Sequence, residues 1–234
     1  MKIFAHRGAR AYAPENTMAA FRLGWEMQAD GIELDVQLTR DDQVVICHDH
    51  TINRTSSGKG WLRDYTLSEL KRLDFGGWFA PKFAGEAIPT LAEFAAWFQT
   101  TPMTLNVEIK NGPVIYAGIE EKVVAILGEY RLLERTIVSS FYHPSLVRLR
   151  ELAPGLKTAA LFSVRPLDPC RLARETGAAY LHPSWHYLDA AWTKEAKASG
   201  LGINAYTVNS PEEYAFFKAL DIDGIFSDYP DIWR

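Results

Sequence analysis

The side chains best suited to acid–base or metal chemistry lie close together near the start of the chain. Glu33 and Asp35 are two positions apart, His6 and Arg7 precede them, and His48 follows. In an extended strand, residues two apart point to the same side, roughly 6.6 Å apart along the backbone, so both carboxylates could bind one cation. These side chains form an active site only if the fold brings both histidines to the carboxylates.

Composition indicates a single globular domain over residues 1–234, with 47% hydrophobic residues and ample apolar material for a core. The net charge of −4 and the lack of a Lys or Arg run argue against a general binder of nucleic acid or anionic membranes. No apolar signal segment precedes His6, and no stretch reaches the roughly 18 apolar residues needed to cross a bilayer. We therefore expect a soluble, cytoplasmic protein without stable membrane association.

The two cysteines, Cys47 and Cys170, are too few and too isolated for a disulfide framework or a zinc site. Cys47 lies in an apolar run, which predicts a buried structural thiol. The sequence leaves the oligomeric state open, and a homodimer is compatible with it.

Short runs with the character of β-strands recur along the chain, and most gaps between them have helical patterns. The nine candidate strands are Ile3 to Ala5, Gly31 to Leu38, Val44 to Cys47, Thr104 to Ile109, Thr136 to Ser139, Thr158 to Leu161, Ala178 to Leu181, Gly202 to Tyr206 and Gly224 to Phe226. Thr90 and Ser210 each precede a Glu by three residues, a pattern typical of helix starts. This alternation predicts a parallel sheet, and eight strands would close a (β/α)8 barrel.

The third candidate strand needs another explanation, because a barrel of this kind has only eight strands. The five residues between Leu38 and Val44 are too few for a parallel crossover and suit a hairpin. Val44 to Cys47 is then a returning antiparallel arm that delivers His48 to the C-terminal rim of the barrel, where such folds carry their active sites.

The other side chains suited to acid–base or metal chemistry are predicted to reach the same rim. His6 ends the first strand, Glu33 and Asp35 lie on the second, and Glu108 and Lys110 end the next barrel strand. The carboxyl ends of parallel barrel strands share one face, so we expect these side chains to meet there.

The segment from Thr51 to Ile88 interrupts the alternation, because it is too long for an ordinary loop between a strand and a helix. It is rich in aromatic residues, and Thr66 to Leu70 resembles a short capped helix. We expect residues 51–88 to form a small inserted subdomain over the barrel mouth. Its aromatic content makes a disordered excursion the weaker alternative.

In a series of short motifs, the chain resembles the glycerophosphodiester phosphodiesterases over nearly its whole length. The motifs are His6-Arg7-Gly8, Pro14-Glu15-Asn16-Thr17, Glu33-Leu34-Asp35-Val36, His48-Asp49, Ile88-Pro89-Thr90-Leu91, Asn106-Val107-Glu108-Ile109-Lys110, Ser139-Ser140-Phe141, Thr207-Val208-Asn209 and Asp223-Gly224-Ile225. Each alone is weak evidence, but together and in this order they are specific. The resemblance implies a (β/α)8 barrel with an insertion after the second histidine motif. It also implies a divalent metal ion, Mg²⁺ or Ca²⁺, and hydrolysis of glycerophosphodiesters to sn-glycerol 3-phosphate and an alcohol.

The residues themselves fit such chemistry. A phosphodiester is negatively charged and loses its alcohol poorly, so its hydrolysis needs cationic neutralisation together with an acid and a base. Glu33, Asp35 and Glu108 offer an all-oxygen ligand set that suits Mg²⁺ or Ca²⁺ better than zinc. Arg7 presents a fork of donors to phosphate oxygens, and Lys110 adds a point charge.

His6 and His48 have unperturbed pKa values near neutrality, which makes them the expected proton donor and acceptor. Their order stays open. The nucleophile also stays open between water and the neighbouring 2-hydroxyl of the glycerol, the route through a cyclic phosphate that related phosphoinositide phospholipases C use. For Asn16 we favour a structural role, as the N-cap of the helix through Ala19, Ala20 and Phe21, over contact with the substrate.

Aromatic residues at strand ends are candidates for a wall around the three-carbon glycerol skeleton. Phe141, Phe162 and Tyr206 each end or follow a barrel strand, although core packing is an equal alternative for them. Tyr206 occupies a position where the resembled family often has Trp. A head group facing the insertion and solvent would be tolerated whether it is choline, ethanolamine or glycerol.

Two rival functions remain at the level of sequence. Members of the same superfamily cleave lysophospholipids or sphingomyelin as phospholipase D enzymes, often with a secretion signal or a membrane anchor. An inactive barrel kept as a binding module is the alternative from another class. Such a module is expected to lose a histidine or a carboxylate, and this chain keeps them all.

Overall fold

The computed structural model describes residues 1–231. Its strands are β1 (Lys2–Ala5), β2 (Gly31–Leu38), β3 (Val44–Ile46), β4 (Thr104–Ile109), β5 (Thr136–Ser140), β6 (Lys157–Phe162), β7 (Tyr180–Pro183), β8 (Gly202–Ala205) and β9 (Gly224–Ser227). Its α-helices are α1 (Met18–Glu26), α2 (Leu67–Leu70), α3 (Leu91–Phe98), α4 (Ile119–Glu129), α5 (His143–Leu152), α6 (Pro169–Thr176), α7 (Ala190–Ala198) and α8 (Pro211–Ala219). Each of the nine predicted strands is present, with ends shifted by at most two residues.

Eight of the strands close a parallel barrel. The order around the sheet is β1-β9-β8-β7-β6-β5-β4-β2, and a further pairing of β1 with β2 completes the ring. β3 lies outside the ring and pairs antiparallel with the upper half of β2, so that Val36 lies opposite Ile46 and Leu38 opposite Val44. The predicted (β/α)8 barrel and its hairpin arm are therefore confirmed.

Alternation along β2 separates the barrel interior from the layer beneath the helices. All eight residues of β2 are buried, as expected for a parallel strand covered on both faces. Ile32, Leu34 and Val36 belong to the hydrophobic core that packs against the surrounding helices. The residues between them, Glu33 and Asp35, point the other way, because side chains alternate along a strand. A continuous buried strand thus carries an acidic interior face.

Helix caps follow the local sequence closely. Thr66, Thr90 and Ser210 each form a reciprocal capping box with the Glu three residues later, at the starts of α2, α3 and α8. The N-cap of α1 is Thr17, whose side chain accepts from the amide of Ala20, so the prediction that Asn16 caps this helix is wrong. Asn16 has a positive φ of 58°, and its side chain instead reaches β2.

The segment between β3 and α3 has a small hydrophobic cluster of its own. Its buried members are Val45, Cys47, Ile52, Leu62, Leu70, Phe75 and Ile88. Cys47 is a free, buried thiol, and burial raises its pKa to about 12, in agreement with the predicted structural role. Two of the cluster residues come from β3 and its end, so the segment packs directly against the arm that carries His48.

A membrane-spanning helix would need about 18 or more predominantly apolar residues. No helix within the described part of the chain meets this condition.

Candidate active site

Three buried carboxylates meet at the C-terminal end of the barrel. The parallel register aligns Asp35 with Glu108 on the neighbouring strand, and Glu33 lies two residues earlier on β2. Their carboxylate oxygens lie within 4.8 Å of one another, and the residues are at most 9% exposed. The strand spacing predicted from sequence therefore does bring these side chains to one point.

Hydrogen bonds hold each carboxylate in place. The backbone N–H of Arg7 donates to Glu33 Oε2 at 2.7 Å, and Lys110 Nζ donates to Glu108 Oε1 at 2.7 Å. Asn16 Nδ2 donates to Asp35 Oδ2 at 2.8 Å. Asn16 thus orients a carboxylate of the cluster, a structural role that differs from the helix cap expected of it.

The nearby positive charges do not fully offset the burial and mutual repulsion of the three carboxylates. Burial, together with the charges of Asp35 and Glu108, raises the pKa of Glu33 well above its ordinary value. Burial also raises the pKa of Glu108. Burial acts on Asp35 in the same direction, but the positive charges of His48, Arg7 and Lys110 outweigh it and lower the pKa of that carboxyl. Adding a cation would favour the ionised form of all three acids.

A divalent cation fits this donor set. The donors are all carboxylate oxygens, the ligands that hard cations prefer. Asp35 Oδ1 is buried and accepts no hydrogen bond from residues 1–231, and the nearest cation, Lys110 Nζ, is 3.7 Å away. A buried oxygen without a donor, inside a cluster of like charges, is what a site for a positive ion presents.

His6 is held by the last barrel strand. Its Nδ1 lies 2.7 Å from Oδ1 of Asp228, which directly follows β9, and β1 pairs with β9 so that Ala5 lies opposite Ser227. Asn209 Nδ2 donates to the other oxygen of Asp228 at 2.9 Å. Burial lowers the pKa of His6, although Asp228 acts in the opposite direction.

His48 is held by residues close to it in sequence. Its Nδ1 lies 2.7 Å from Oδ1 of Asp49, and Arg54 Nε donates to the other oxygen of Asp49 at 2.8 Å. The guanidinium of Arg54 also donates two hydrogen bonds, at 2.7 and 2.8 Å, to Glu15. Glu15 in turn accepts from Arg7 Nη1 at 2.9 Å, so it connects the first histidine motif to the segment after the second.

Glycine at position 8 is required by the geometry of the first motif. Gly8 has a φ of +81°, in the left-handed region, and a Cβ atom there would lie 2.6 Å from the backbone carbon of Ala20 in α1. This close approach lets the chain turn directly after His6, so that the N–H of Arg7 faces Glu33.

A cavity of about 290 Å³ opens in front of the cluster. The predicted residues that line it are His6, Arg7, Glu33, His48, Glu108, Phe141 and Tyr206. Phe141 and Tyr206 meet edge to face with ring centroids 6.0 Å apart, and Lys110 Nζ lies 5.9 Å from the Phe141 ring. Phe141 and Tyr206 therefore line this cavity, and their contact with a glycerol unit stays a prediction.

The prediction for Phe162 is wrong. Its side chain is buried in the hydrophobic core, where it packs against Trp192 of α7 with ring centroids 6.1 Å apart. Leu161 lines the cavity instead. Because side chains alternate along β6, Leu161 faces the barrel interior and its neighbour Phe162 faces the helices.

Sequence reasoning missed the partners of the two histidines. Asp228 and Asp49 orient the rings, Arg54 donates to Asp49, and Glu15 accepts from Arg54. A signal existed for Asp228, because an acidic residue directly after the last barrel strand must lie beside the end of the first strand. No spacing rule indicated Arg54, because its contact with Glu15 depends on how residues 51–88 fold.

The C-terminal rim of this closed parallel barrel carries buried carboxylates, two histidines and two cationic side chains. This combination defines a class of barrel enzymes suited to phosphate esters. The chain belongs to the glycerophosphoryl diester phosphodiesterase family, whose sequence model matches residues 6–232. The family and enzyme class predicted from the sequence motifs are thereby confirmed.

Individual relatives agree with this assignment. A glycerophosphodiester phosphodiesterase from Caldanaerobacter subterraneus subsp. tengcongensis is 42% identical over 98% of this chain and 94% of its own length. Among solved structures, a phosphodiesterase from Oleispira antarctica in complex with the product sn-glycerol-3-phosphate is 31% identical, with a TM-score of 0.90 over 100% of this chain and 95% of that one. A glycerophosphodiester phosphodiesterase from Agrobacterium tumefaciens is 28% identical, with a TM-score of 0.89 over 100% and 98% of the two chains.

Proposed function

We propose that this chain hydrolyses glycerophosphodiesters to sn-glycerol 3-phosphate and an alcohol with the help of one divalent cation. The observation that carries the proposal is the convergence of an all-oxygen carboxylate cluster and both histidines on one cavity. Family membership supports the reaction, and so does the relative from O. antarctica whose structure contains sn-glycerol-3-phosphate.

Glu33, Asp35 and Glu108 are the proposed metal ligands. Their oxygen donors favour Mg²⁺ or Ca²⁺ over softer metals. A cation bound there would offset the charge that the phosphoryl group carries in the transition state.

Arg7 and Lys110 are the proposed phosphate-binding side chains. Arg7 Nε is buried and makes no hydrogen bond within residues 1–231, although Asp35 Oδ2 is only 3.4 Å away. The Arg7 side chain lines the cavity, where its guanidinium would offer donors to a substrate oxygen. Lys110 is paired with Glu108 and lies near Asp35. Its positive charge would therefore offset the negative charge of both the carboxylate cluster and the phosphate.

His6 and His48 are the proposed general acid and general base. Each ring has its Nδ1 against a carboxylate, which leaves Nε2 for the substrate. One ring would deprotonate the nucleophile and the other would protonate the departing alcohol oxygen. The nucleophile is either water or the 2-hydroxyl of the substrate, and a cyclic phosphate trapped by rapid quench would identify the second route.

Residues 51–88 are proposed to form one side of the cavity entrance, as an inserted subdomain of a single-domain chain. The support is the bidentate contact of Arg54 with Glu15 and its contact with Asp49. Phe141 and Tyr206 are proposed to contact the glycerol unit. A cytoplasmic location and a homodimer stay predictions from sequence.

The deciding experiment measures sn-glycerol 3-phosphate released from glycerophosphocholine, with and without EDTA. We expect EDTA to abolish release and added Mg²⁺ or Ca²⁺ to restore it. Glu108→Gln should lose both activity and the rise in Tm on metal addition, whereas Glu26→Gln, an exposed carboxylate on α1, should keep both. Full activity in EDTA would contradict the metal proposal, and no product under any condition would favour the inactive barrel.

A further inference from the structure

The floor of the cavity is lined by neutral polar side chains that the proposed chemistry does not use. Asn106, Ser139 and His182 all line the same cavity as the two catalytic histidines. Asn106 lies two residues before Glu108 on β4, roughly 6–7 Å further down the barrel. His182 lies on β7, three strands further around the ring from β4, and both residues are at most 1% exposed.

His182 presents a buried N–H without a partner. Asn204 Nδ2 donates to His182 Nε2 at 3.0 Å, so with this amide orientation the neutral ring carries its proton on Nδ1. Burial lowers the pKa of His182 to about 3, so the ring is neutral across the physiological range. His182 Nδ1 is itself buried and has no hydrogen-bond partner among the described residues.

Asn106 presents the complementary group. Its Nδ2 donates to Ser139 Oγ at 3.0 Å, while its Oδ1 is buried and accepts from no residue in the range 1–231. Within residues 1–231, the two residues that carry this unpaired donor and this unpaired acceptor therefore line the same cavity. A buried polar group left unpaired costs about 1–3 kcal/mol, so each of the two gains from a partner, and one ligand in the cavity can supply a partner to both.

We propose that His182 and Asn106 form a hydroxyl-binding floor that recognises the C1 hydroxyl of the glycerol unit. A hydroxyl is the functional group that can accept from His182 and donate to Asn106 at once. This inference rests on the proposed function, because it assigns one end of the substrate to the floor of the cavity.

The orientation of the substrate follows from the shape of the site. The phosphate-binding side chains and both histidines lie at the rim, so the departing alcohol faces solvent. The glycerol unit must then extend inward from the phosphate. Leu161 and Phe226 line the cavity beside the floor and suit the carbon-bound hydrogens of the three-carbon chain. The C1 hydroxyl is the group furthest from the phosphate along that chain.

The floor predicts strong discrimination against a substrate that lacks this hydroxyl. A site built to hydrogen-bond a hydroxyl rejects the analogue without it, because its own buried groups are then left unpaired. We expect kcat/KM to fall about 10²–10⁴-fold for a phosphocholine diester in which the C1 hydroxymethyl of glycerol is replaced by methyl.

The test compares glycerophosphocholine with this 1-deoxy analogue in the metal-supplied enzyme. The measured quantity is the ratio of the two kcat/KM values. The ring centroids of His182 and Phe226 lie 5.0 Å apart. His182→Phe removes the donor but keeps a ring that can pack edge to face against Phe226. Asn106→Leu removes the acceptor independently. His143→Phe is the matched control, because its ring contacts the carbonyl of Leu161 outside the floor.

We expect a large ratio in the unmodified enzyme and in His143→Phe, and a ratio about tenfold smaller or less in His182→Phe and in Asn106→Leu, because each variant loses one of the two hydrogen bonds. A ratio near one in the unmodified enzyme overturns the floor while leaving the proposed function intact, and this outcome does not depend on how the variants fold. An unreduced ratio in either folded floor variant also overturns it. If the unmodified enzyme cleaves neither compound, the proposed function itself fails, and the floor fails with it.

Discussion

The two histidines of the site are paired with carboxylates in the same way but are supported by different parts of the molecule. The His6–Asp228 pair joins side chains 222 residues apart, at the ends of adjacent barrel strands, and its side chains are 12% and 19% exposed. The His48–Asp49 pair joins neighbours in sequence, on the chain that leaves the β3 arm, and its side chains are 30% and 28% exposed. Barrel strand ends support the first pair, whereas the second is supported mainly by Arg54 outside the barrel ring and, through the backbone, by Gln37 of β2.

The difference places one histidine pair in an enclosed position and the other in a more accessible one. Asp228 is held by the amide of Asn209, so the first pair is enclosed by barrel ends and the loops next to them. Asp49 depends on Arg54, whose own side chain is 43% exposed. Gln37 Nε2 adds support from β2 by donating to the carbonyl oxygens of Cys47 and Asp49, each at 2.8 Å.

The largest effect should come from removing either ring. His6→Gln and His48→Gln are each expected to lower kcat about 10²–10⁴-fold on glycerophosphocholine, the usual contribution of a general acid or base. Release of sn-glycerol 3-phosphate at saturating metal checks this, with His143→Gln as the control. An unchanged rate in either variant would contradict its assigned role.

A better leaving group sharpens the comparison between the same two variants. Departing p-nitrophenol needs no protonation, so an enzyme that lacks its general acid should recover on a glycerophospho-p-nitrophenyl substrate, whereas one that lacks its base should not. We expect recovery in His48→Gln, because burial lowers the pKa of His6 and favours its neutral, proton-accepting form. Recovery in His6→Gln alone would reverse the assignment.

The partner carboxylates should give intermediate and unequal effects. Asp228→Asn is expected to lower kcat/KM roughly 10–100-fold, the range found when a carboxylate that orients a histidine is lost. Asp49→Asn should cost less, because its pair is more exposed. Partial recovery in Asp228→Glu would show that the carboxylate charge matters, and equal losses in the two Asn variants would contradict the comparison.

The pH profile of Asp228→Asn gives a further check. The charges near His6 are Asp228, which raises its pKa, and Arg7 and Arg10, which lower it. Removing the Asp228 charge should therefore lower the pKa of His6 further. If His6 acts in its neutral form, the acidic limb of the kcat/KM profile moves to lower pH; a shift to higher pH would contradict this reading.

The smallest effect should come from the support of the second pair. Arg54→Ala is expected to lower kcat/KM about two- to fivefold, the size of a partly exposed ion pair worth ~0.5–1 kcal/mol. Arg63→Ala, an exposed arginine of the same segment that pairs only loosely with Asp64, is the control. A loss as large as that of His48→Gln would mean that residues 51–88 hold the site far more tightly than the exposure of Arg54 implies.

Particular elements show what local sequence can predict. The capping boxes at Thr66, Thr90 and Ser210 could be predicted from the sequence, because both the motif and the hydrogen bonds that it makes lie within four residues. The hairpin was readable because five residues cannot make a parallel crossover. The prediction that Asn16 caps α1 failed because the next residue, Thr17, can cap the helix equally well. The prediction that Phe162 lines the cavity failed because a shift of one residue along a strand moves a side chain to the other face.

The sequence by itself determined the barrel, the carboxylate spacing on β2 and the return of His48 to the rim, because strand periodicity and connection length are local properties of the chain. Only the tertiary structure decided which residues orient the two rings and which groups on the cavity floor lack partners. Asp228 meets His6 only when the last strand closes against the first, and Asn204 directs the proton of His182 only across two adjacent strands. These contacts are set by strand register and barrel closure, which bring together residues that no short spacing relates.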